Sequence, residues 1–321
     1  MSTPLAEDLE KALRIQRRGP HVVAIGGGKG LSAGLRAIQR YAGRIDAIVT
    51  VADDGGSSGR LAPGLEIPPP GDIRKCLLAL APDESIWSQL FEYRFDASDV
   101  SGHSLGNLII ASLADLTGDF RAALRAAGSL LGAVGMVIPV SPHRLRIEAV
   151  VDGAPVAGQV ALALSRGNVE EMRLLPEDAV ASEEAIAAIA VADQIVIGPG
   201  SLYTSVLATL LVPGIVEAVN TSRARLVYVA NISTQDGETL GMDCADHLDA
   251  LIGMSRMRPP AAIVANETSV TFQPPIEALA VDAEVLATYG VDVVSGDFVD
   301  RESAVPRHDT VRLGGALARL T

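Results

Sequence analysis

The sequence predicts an α/β fold, a Rossmann-like, doubly wound and mainly parallel sheet with a small antiparallel β-hairpin insertion. Short β-branched and apolar runs alternate with stretches of helical periodicity. The run at residues 45–51 is almost uncharged, which is typical of a parallel strand buried on both faces. Glycine-rich or polar loops follow several of these runs, and open α/β sheets bind ligands at that edge.

The first part of the chain alternates between predicted strands and helices. Each helix follows a turn with a start signal, such as a polar capping residue. In chain order, the predicted elements are a strand at residues 21–25, a helix at 31–39, a strand at 45–51, a helix capped by Asp72 that runs to residue 80, and a helix from Ser104 to residue 116.

The pattern changes from helical to alternating at about residues 135–178. Alternating apolar residues from Leu145 to Val151 lead into Asp152 and Gly153 and then a strand-like run to Leu164, which predicts a hairpin. We expect this β-rich insertion within a single domain of residues 19–321, preceded by a charged tail at 1–18. Further strands are predicted at residues 194–197, 226–230, 262–265 and 291–294.

The composition excludes several functional classes. The chain has 321 residues and a formal net charge of −13, and its one basic cluster lies at residues 14–18, so a nucleic-acid-binding surface is not expected. It has no apolar run of about 18 residues and no signal-peptide pattern, so we expect a cytoplasmic protein without a membrane span. Cys76 and Cys244 lack the spacing of a disulfide framework or zinc site.

The first glycine turn follows a predicted strand and opens a helix. Backbone N–H groups and the helix dipole converge there on a space of phosphate size. The turn is neither a Walker A loop nor GxGxxG, because Leu31 occupies the third glycine position, and tight strand-to-helix packing is the alternative explanation. Its candidate phosphate-binding residues are Gly26, Gly27, Gly28, Lys29, Gly30 and Ser32.

The second loop, ADDGGSSGR, combines carboxylates with backbone donors at the end of a strand. Asp53 and Asp54 are candidates either to accept ribose hydroxyl groups or to hold Mg²⁺ on a diphosphate. A solvated acidic turn is the alternative for the two aspartates. The candidate phosphate-binding residues of this loop are Gly55, Gly56, Ser57, Ser58, Gly59 and Arg60.

Further polar groups follow other predicted strands or begin helices. Basic residues at a helix start oppose the helix dipole, so an anion bound there would resolve the conflict. Together these loops predict one extended cleft. The remaining candidate ligand-binding residues are Asp72, Arg74, Lys75, His103, Asn107, Gly198, Gly200, Ser201, Tyr203, Thr204, Asn231, Thr234 and Gln235.

Taken in order, these motifs resemble those of the YvcK proteins, the gluconeogenesis-factor branch of the CofD-like superfamily. The resemblance runs from about residue 21 to 247. In this branch the first loop usually reads GGGTG, and Lys29 stands in place of the threonine. The motifs that carry the resemblance are GGGKGLS, VADDGGSSGRL, PPPGDIRKCLLAL, LFEYRF, GHSLGNL, TGDF, VIGPGSLYTS, LLVPGI and TQDGET.

The resemblance implies a cytosolic protein that binds UDP-sugars, notably UDP-N-acetylglucosamine or UDP-glucose. It further implies a role in cell shape, cell-wall synthesis and growth on gluconeogenic carbon sources. An unidentified protein partner in cell-wall synthesis is expected, and a homodimer is one possible assembly. This interpretation requires no cofactor. Mg²⁺ bound together with the nucleotide sugar is the one ion it allows for.

The sequence leaves open whether the protein catalyses a reaction on its ligand. No clear nucleophile and base are paired, since His103 and Ser104 are adjacent and do not face each other on a helix. The leading hypothesis is therefore a regulator with no catalytic residues. The alternative is a CofD-like, Mg²⁺-dependent 2-phospho-L-lactate transferase with Asp53 and Asp54 on the metal. A dehydrogenase is disfavoured because GxGxxG is absent.

Overall fold

The computed structural model describes residues 18–83 and 85–321. The predicted charged tail thus lies outside the described residues, except for Arg18. In chain order the strands are β1 (His21–Gly26), β2 (Arg44–Val49), β3 (Met136–Pro139), β4 (Arg146–Val151), β5 (Ala154–Ala157), β6 (Val169–Leu175), β7 (Gln194–Ile197), β8 (Arg225–Val229), β9 (Ala262–Asn266) and β10 (Asp292–Gly296).

Helices lie between most of the parallel strands of the described chain. A π-helical turn, Leu202–Leu207, follows β7. The α-helices in chain order are α1 (Gly28–Ile38), α2 (Gly56–Leu65), α3 (Pro70–Leu80), α4 (Ile86–Glu92), α5 (Leu105–Thr117), α6 (Phe120–Leu131), α7 (Gln159–Ala163), α8 (Glu183–Ala190), α9 (Ala208–Leu210), α10 (Ile215–Thr221), α11 (Cys244–Ser255), α12 (Ala283–Thr288) and α13 (Thr310–Ala318).

The large sheet confirms the predicted parallel architecture. In the described part of the chain it has seven strands in the order β10, β9, β8, β7, β1, β2, β3, and its neighbouring strands pair in parallel. Residues 22–25 of β1 are fully buried, because this central strand is covered on both faces. The chain leaves β1 toward β2 on one side and returns to β7 on the other. The topological switch point therefore lies between β1 and β7.

The predicted hairpin is present within a second sheet of three strands, ordered β5, β4, β6 in the described residues. Asp152 and Gly153 form its turn with positive φ angles of 48° and 74°. The antiparallel insertion begins at Arg146 and not at about residue 135 as predicted. The earlier residues form β3, which pairs with β2 in the large sheet. The prediction of a strand-like run to Leu164 is wrong for the residues after β5. These residues form helix α7, whose first N–H groups donate to a distant carboxylate that the local sequence does not reveal.

The structure confirms one of the predicted helix starts and corrects two others. Ser104 caps α5 as expected, since its Oγ accepts the Asn107 N–H at 3.2 Å. The prediction that Asp72 caps α3 is wrong. Pro69 is the N-cap and Pro70 is the first helical residue, a position that proline favours, so Asp72 lies buried inside the first turn. Helix α1 also begins earlier than expected, at Gly28.

The C-terminal helix completes the layer beside β1. Helix α1 packs between α3 and α13, and a Cβ on Gly314 of α13 would lie only 2.7 Å from the Ala37 carbonyl oxygen. This packing brings the segment before α13 toward the carboxyl edge of the sheet. Over residues 18–83 and 85–321, no single helix is long and apolar enough to cross a membrane; one bent pair, Leu202–Leu210 with Ile215–Thr221, qualifies by length and composition alone.

Candidate functional site

A cleft of about 540 Å³ opens at the carboxyl ends of β1, β7 and β8. Its position is the topological switch point, where open α/β sheets bind their ligands, and its volume is within the range of small-molecule sites. It is lined by Gly27, Gly28, Lys29, Gly30, Ala33, Asp72, Lys75, Gln159, Pro199, Gly200, Ser201, Ser205, Asn231, Ile232, Ser233, Thr234, Gln235, Asp236, Ile276, Val305, Pro306, Arg307 and His308.

The first glycine turn presents the start of α1 to this cleft. Gly27 is the N-cap and offers no side-chain acceptor, and the first turn of the helix has no acidic residue. The adjacent Gly28 has a φ of 67°, a left-handed conformation that glycine adopts without strain. The N–H groups of this turn thus have no side-chain cap, which suits an anionic ligand.

The second glycine turn packs directly against the first. A Cβ on Gly30 would lie 2.6 Å from the Gly200 Cα, so close packing by itself requires a glycine at this position. Asn231 holds Gly200 in place, because its Oδ1 accepts the Gly200 N–H at 3.0 Å and its Nδ2 donates to the Gly200 carbonyl at 2.9 Å. Both glycine turns therefore form one rigid floor of the cleft.

Two ion pairs neutralise several charges on the cleft walls. Lys75 Nζ lies 2.8 Å from the Oδ1 of the buried Asp72. Burial alone lowers the pKa of Lys75, but the Asp72 carboxylate outweighs it and raises the pKa above its ordinary value. On another wall, Arg166 binds both carboxylate oxygens of Asp236 at 2.9 and 2.8 Å. These four groups contribute no net charge.

Lys29 and Arg307 also line the cleft and have no ion pair within residues 18–83 and 85–321. They come from different elements, the first turn of α1 and the segment before α13. Their charges, added to the α1 dipole, make the cleft locally positive in a protein of net charge −13. The cleft is therefore suited to an anionic ligand.

The adjacent carboxylates after β2 separate from each other. Both oxygens of Asp54 accept backbone N–H groups of α7, from Gln159 and Val160 at 3.0 Å each. Asp53 instead accepts the Gly55 N–H at 3.0 Å, and burial together with the charge of Asp72 raises the pKa of Asp53. The two neighbours therefore do not face one site, and no group of three or more His, Cys, Asp or Glu residues in the described chain is arranged to hold a metal ion.

Helix α7 contributes to the cleft from the antiparallel unit. Asp54 caps its first residues, and Gln159 lines the cleft. At its other end, a Cβ on Gly237 would collide with the Ala163 carbonyl, so the loop after β8 packs closely on this helix. The antiparallel unit thus forms a wall between the loops after β2 and β8.

A separate set of predicted ligand residues is buried together behind the cleft. Arg74 Nε donates to Asn107 Oδ1 at 2.9 Å, Asn107 Nδ2 donates to Ser57 Oγ at 3.0 Å, and Ser57 Oγ lies 3.0 Å from His103 Nδ1. None of these side chains lines the cleft. Arg60 likewise points elsewhere, since its Nη2 donates to the Ser101 carbonyl at 2.8 Å.

Residues of the π-helical turn after β7 also form their hydrogen bonds within the protein. The buried Glu238 accepts the Tyr203 N–H at 3.2 Å and the Thr204 hydroxyl at 2.5 Å. The Tyr203 hydroxyl lies 3.8 Å from the Met242 sulfur, so the ring is packed inside and not presented to a base. Glu238 therefore organises this turn, and burial raises the pKa of its carboxyl group.

The structure brings one subset of the predicted residues to the cleft and leaves another behind it. The predicted residues that line the cleft are Gly27, Gly28, Lys29, Gly30, Asp72, Lys75, Gly200, Ser201, Asn231, Thr234 and Gln235. The predicted residues that do not are Gly26, Ser32, Asp53, Asp54, Gly55, Gly56, Ser57, Ser58, Gly59, Arg60, Arg74, His103, Asn107, Gly198, Tyr203 and Thr204.

Comparison with known proteins agrees with this architecture. The family model described as 2-phospho-L-lactate transferase CofD matches residues 22–299, most of the chain. The chain belongs to the CofD family. It is similar to the gluconeogenesis factor of Halalkalibacterium halodurans, with 40% identity over 306 residues that cover 92% of this chain and 95% of that protein.

Further relatives place this CofD-family chain beside the gluconeogenesis factors, as the motifs predicted. The gluconeogenesis factor of Bacillus subtilis is 39% identical over 310 residues, covering 94% of this chain and 98% of that protein. The crystal structure of a UPF0052-family protein from Bacillus halodurans matches with a TM-score of 0.89 and 40% identity, covering 94% and 99% of the two chains.

Sequence reasoning missed twelve of the cleft residues of this CofD-family chain, and among them Arg307 and His308 lie farthest along the sequence. These two follow no glycine-rich strand end and reach the cleft only because α13 packs on α1. The His308 ring is buried and hydrogen-bonds the Ala230 carbonyl, and burial lowers its pKa to about 4. The available local signal was an Arg–His pair before the capping residue Asp309.

Proposed function

We propose that this protein binds a UDP-sugar, UDP-N-acetylglucosamine or UDP-glucose, in the cleft between β1 and β7. In this proposal it acts in the cytoplasm as a regulator without turnover. Ligand occupancy reports the supply of cell-wall precursor to a protein partner and so affects cell shape and growth on gluconeogenic carbon sources. The name of the similar proteins, gluconeogenesis factor, supports the last role.

The observation that carries this proposal is the pair of cations without ion-pair partners in the described chain, Lys29 and Arg307. A nucleotide sugar has a diphosphate with two negative charges, which would match these two cations. The uncapped N–H groups at the start of α1 add donors of the type that bind phosphate oxygens. A neutral ligand would leave both positive charges uncompensated.

The rest of the lining supports a ligand with many hydroxyl and carbonyl groups. Gln159, Ser233 and Gln235 supply amide and hydroxyl groups, and Ile276 and Val305 supply apolar surface. A volume of about 540 Å³ is suited to a ligand larger than a free phosphate.

The cleft chemistry also supports binding without turnover. Among the described lining residues, the histidine that would serve as a base is His308, whose ring already hydrogen-bonds a backbone carbonyl. The Ser201 hydroxyl donates to Gln235 Oε1 at 2.9 Å and is therefore not paired with His308. A paired nucleophile and base are the usual requirement for covalent catalysis, and these contacts do not provide it.

The test is calorimetric titration with UDP-N-acetylglucosamine of the parent protein, Lys29→Gln and Arg307→Gln. Each substitution removes a charge-assisted hydrogen bond worth roughly 1.5–3 kcal/mol, so affinity should fall by about 10- to 100-fold. Arg223→Gln is the matched control, because this exposed residue precedes β8 at the opposite edge of the sheet. Unchanged affinity in both cleft variants, or no binding by the parent, would contradict the proposal.

A second candidate is the 2-phospho-L-lactate transferase activity named in the family model. It would require Mg²⁺, and Asp53 and Asp72 offer carboxylate oxygens of the type that this ion takes, although Asp72 Oδ1 already pairs with Lys75 Nζ at 2.8 Å. Bound Mg²⁺ would offset charge on a transferred phosphoryl group. Asp54 does not fit, since α7 occupies both its oxygens. Mg²⁺-dependent turnover of a guanosine diphosphate donor would favour this activity.

A further inference from the structure

Four buried side chains form a hydrogen-bonded chain that the proposed ligand site does not use. It runs from Arg74 on α3 through Asn107 on α5 and Ser57 on α2 to His103, with successive distances of 2.9, 3.0 and 3.0 Å. A second arm of Arg74 donates to the Phe91 carbonyl at 2.8 Å. All four side chains are less than a tenth exposed. The chain therefore links three helices inside the protein.

The directions of the first two bonds in this chain are determined by Arg74. Arg74 only donates, so Asn107 must turn its oxygen toward Arg74 and its NH₂ group toward Ser57. The Ser57 oxygen then accepts from Asn107, and it lies 3.0 Å from His103 Nδ1. When the Ser57 hydroxyl donates in this second contact, His103 accepts at Nδ1, its ring is neutral and its proton is on Nε2.

Arg74 sits one residue from a group that lines the cleft, and Ser57 sits one residue from a partner of Asp53, whose carboxyl group is coupled to the cleft residue Asp72. Arg74 precedes Lys75, which forms its ion pair with Asp72 in the cleft wall. Ser57 precedes Ser58, whose hydroxyl group hydrogen-bonds the Asp53 carboxylate. Consecutive residues of a helix point in different directions, so α3 shows Arg74 to the buried chain and Lys75 to the cleft, while α2 shows Ser57 to the buried chain and Ser58 to Asp53.

We propose that Arg74, Asn107, Ser57 and His103 are positioning residues, and that the neutral form of His103 keeps α2 and α3 in the arrangement that binds ligand. The affinity part of this inference rests on the proposed UDP-sugar site. Protonation of His103 is then a switch that weakens binding at acidic pH. It places a proton on Nδ1, where the Ser57 proton needs an acceptor.

The surroundings of His103 oppose its protonation. Burial lowers the pKa of His103, and so do the charges of Arg60 on α2 and Arg94 in the segment after α4. The hydrogen-bonded chain with a neutral His103 is thus fully formed above the ordinary histidine pKa of 6.5. It is lost as the pH falls from that value through the lowered pKa of His103 in the folded protein. Burial lowers the pKa of His308 in the cleft to about 4, so the His308 ring is still neutral at pH values between 6.5 and well above 4.

The experiment measures the dissociation constant of UDP-N-acetylglucosamine from about pH 8 to about pH 5, for the parent, His103→Asn and His143→Asn. Asparagine offers a carbonyl acceptor near the Nδ1 position but cannot be protonated. The parent and the exposed His143→Asn control should lose up to about tenfold in affinity per pH unit below the pKa of His103. His103→Asn should bind with nearly constant affinity, and its thermal midpoint shows that it is folded.

The same pH dependence in the parent and in His103→Asn would overturn the inference. A second measurement needs no ligand, namely amide hydrogen exchange of α2 and of the first turn of α3 at matched pH values. Protection should fall at acidic pH in the parent relative to His103→Asn. If no UDP-sugar binds but this difference is present, the proposed function fails and the positioning role stands. Equal protection in the two proteins would refute the positioning role.

Discussion

Gly30 tests whether the close contact of the two glycine turns holds the cleft together. A Cβ at this position would lie 2.6 Å from the Gly200 Cα, 2.7 Å from the Pro199 oxygen and 2.8 Å from the Gly200 nitrogen. All three atoms belong to the backbone, and Asn231 holds Gly200 by two hydrogen bonds. The contact therefore cannot be relieved by rotating a side chain, and Gly30→Ala must push α1 away from the turn after β7.

The expected magnitude follows from two opposing effects. Replacing glycine by alanine inside a helix contributes up to about 1 kcal/mol of stability, whereas overpacking costs about 1–3 kcal/mol. Gly30→Ala should therefore destabilise the protein by roughly 1–2 kcal/mol. Gly315→Ala in α13 is the matched control, because nothing lies within 4 Å of its added Cβ, and it should stabilise by about 0.5–1 kcal/mol.

Urea unfolding of both variants provides the comparison. A change in midpoint at constant slope would report stability alone. The thermal midpoint of Gly30→Ala should fall by a few degrees, since about 1 kcal/mol corresponds to roughly 2 °C in a chain of this size. Because Gly30 lines the cleft, UDP-sugar affinity should fall as well. The reasoning is refuted if Gly30→Ala is stabilised as much as Gly315→Ala.

Three further predictions concern buried polar contacts. Burial lowers the pKa of His247 and of His308 from 6.5 to about 4. The contribution of each of these two groups to the unfolding free energy should therefore be constant above pH 6.5 and should fall by about 3 kcal/mol as the pH drops to 4. Equal stability at the two pH values in urea titrations would contradict this. Asp54→Ala removes the acceptor of two α7 N–H groups, so hydrogen exchange in α7 should accelerate while β1 stays protected, and unchanged exchange would show that the cap is dispensable. Asn231→Asp replaces the donor to the Gly200 carbonyl with a second oxygen, so a loss of about 1–3 kcal/mol is expected, and an unchanged thermal midpoint would argue against the contact.

Much of the large sheet was predictable because its signals are local. Residues 22–25 and 45–49 are apolar runs that a parallel strand buries on both faces, and each run ends in a glycine-rich turn. Gly27, Gly28 and Lys29 were identified for the same reason, since a strand, a turn and a helix follow each other within a few residues. The resemblance of the motifs then agreed with the family assignment.

Errors arose where a distant contact overruled the local pattern. The residues of α7 belong to a run that was predicted as strand-like, but the Asp54 carboxylate, more than a hundred residues earlier, caps them as a helix. Asp53 and Asp54 are neighbours that bind different partners. Arg307 carries no motif and reaches the cleft through helix packing.

The sequence by itself determined the parallel α/β architecture and the strand ends that carry anion-binding turns, because hydrophobic periodicity and glycine placement act over a few residues. Only the tertiary structure decided which polar groups meet. Arg74 and Lys75 show the difference, since adjacent helical positions with similar charge face a buried amide and a cleft carboxylate, respectively. Burial makes each such group find a partner, and the partner is chosen by packing over long sequence distances.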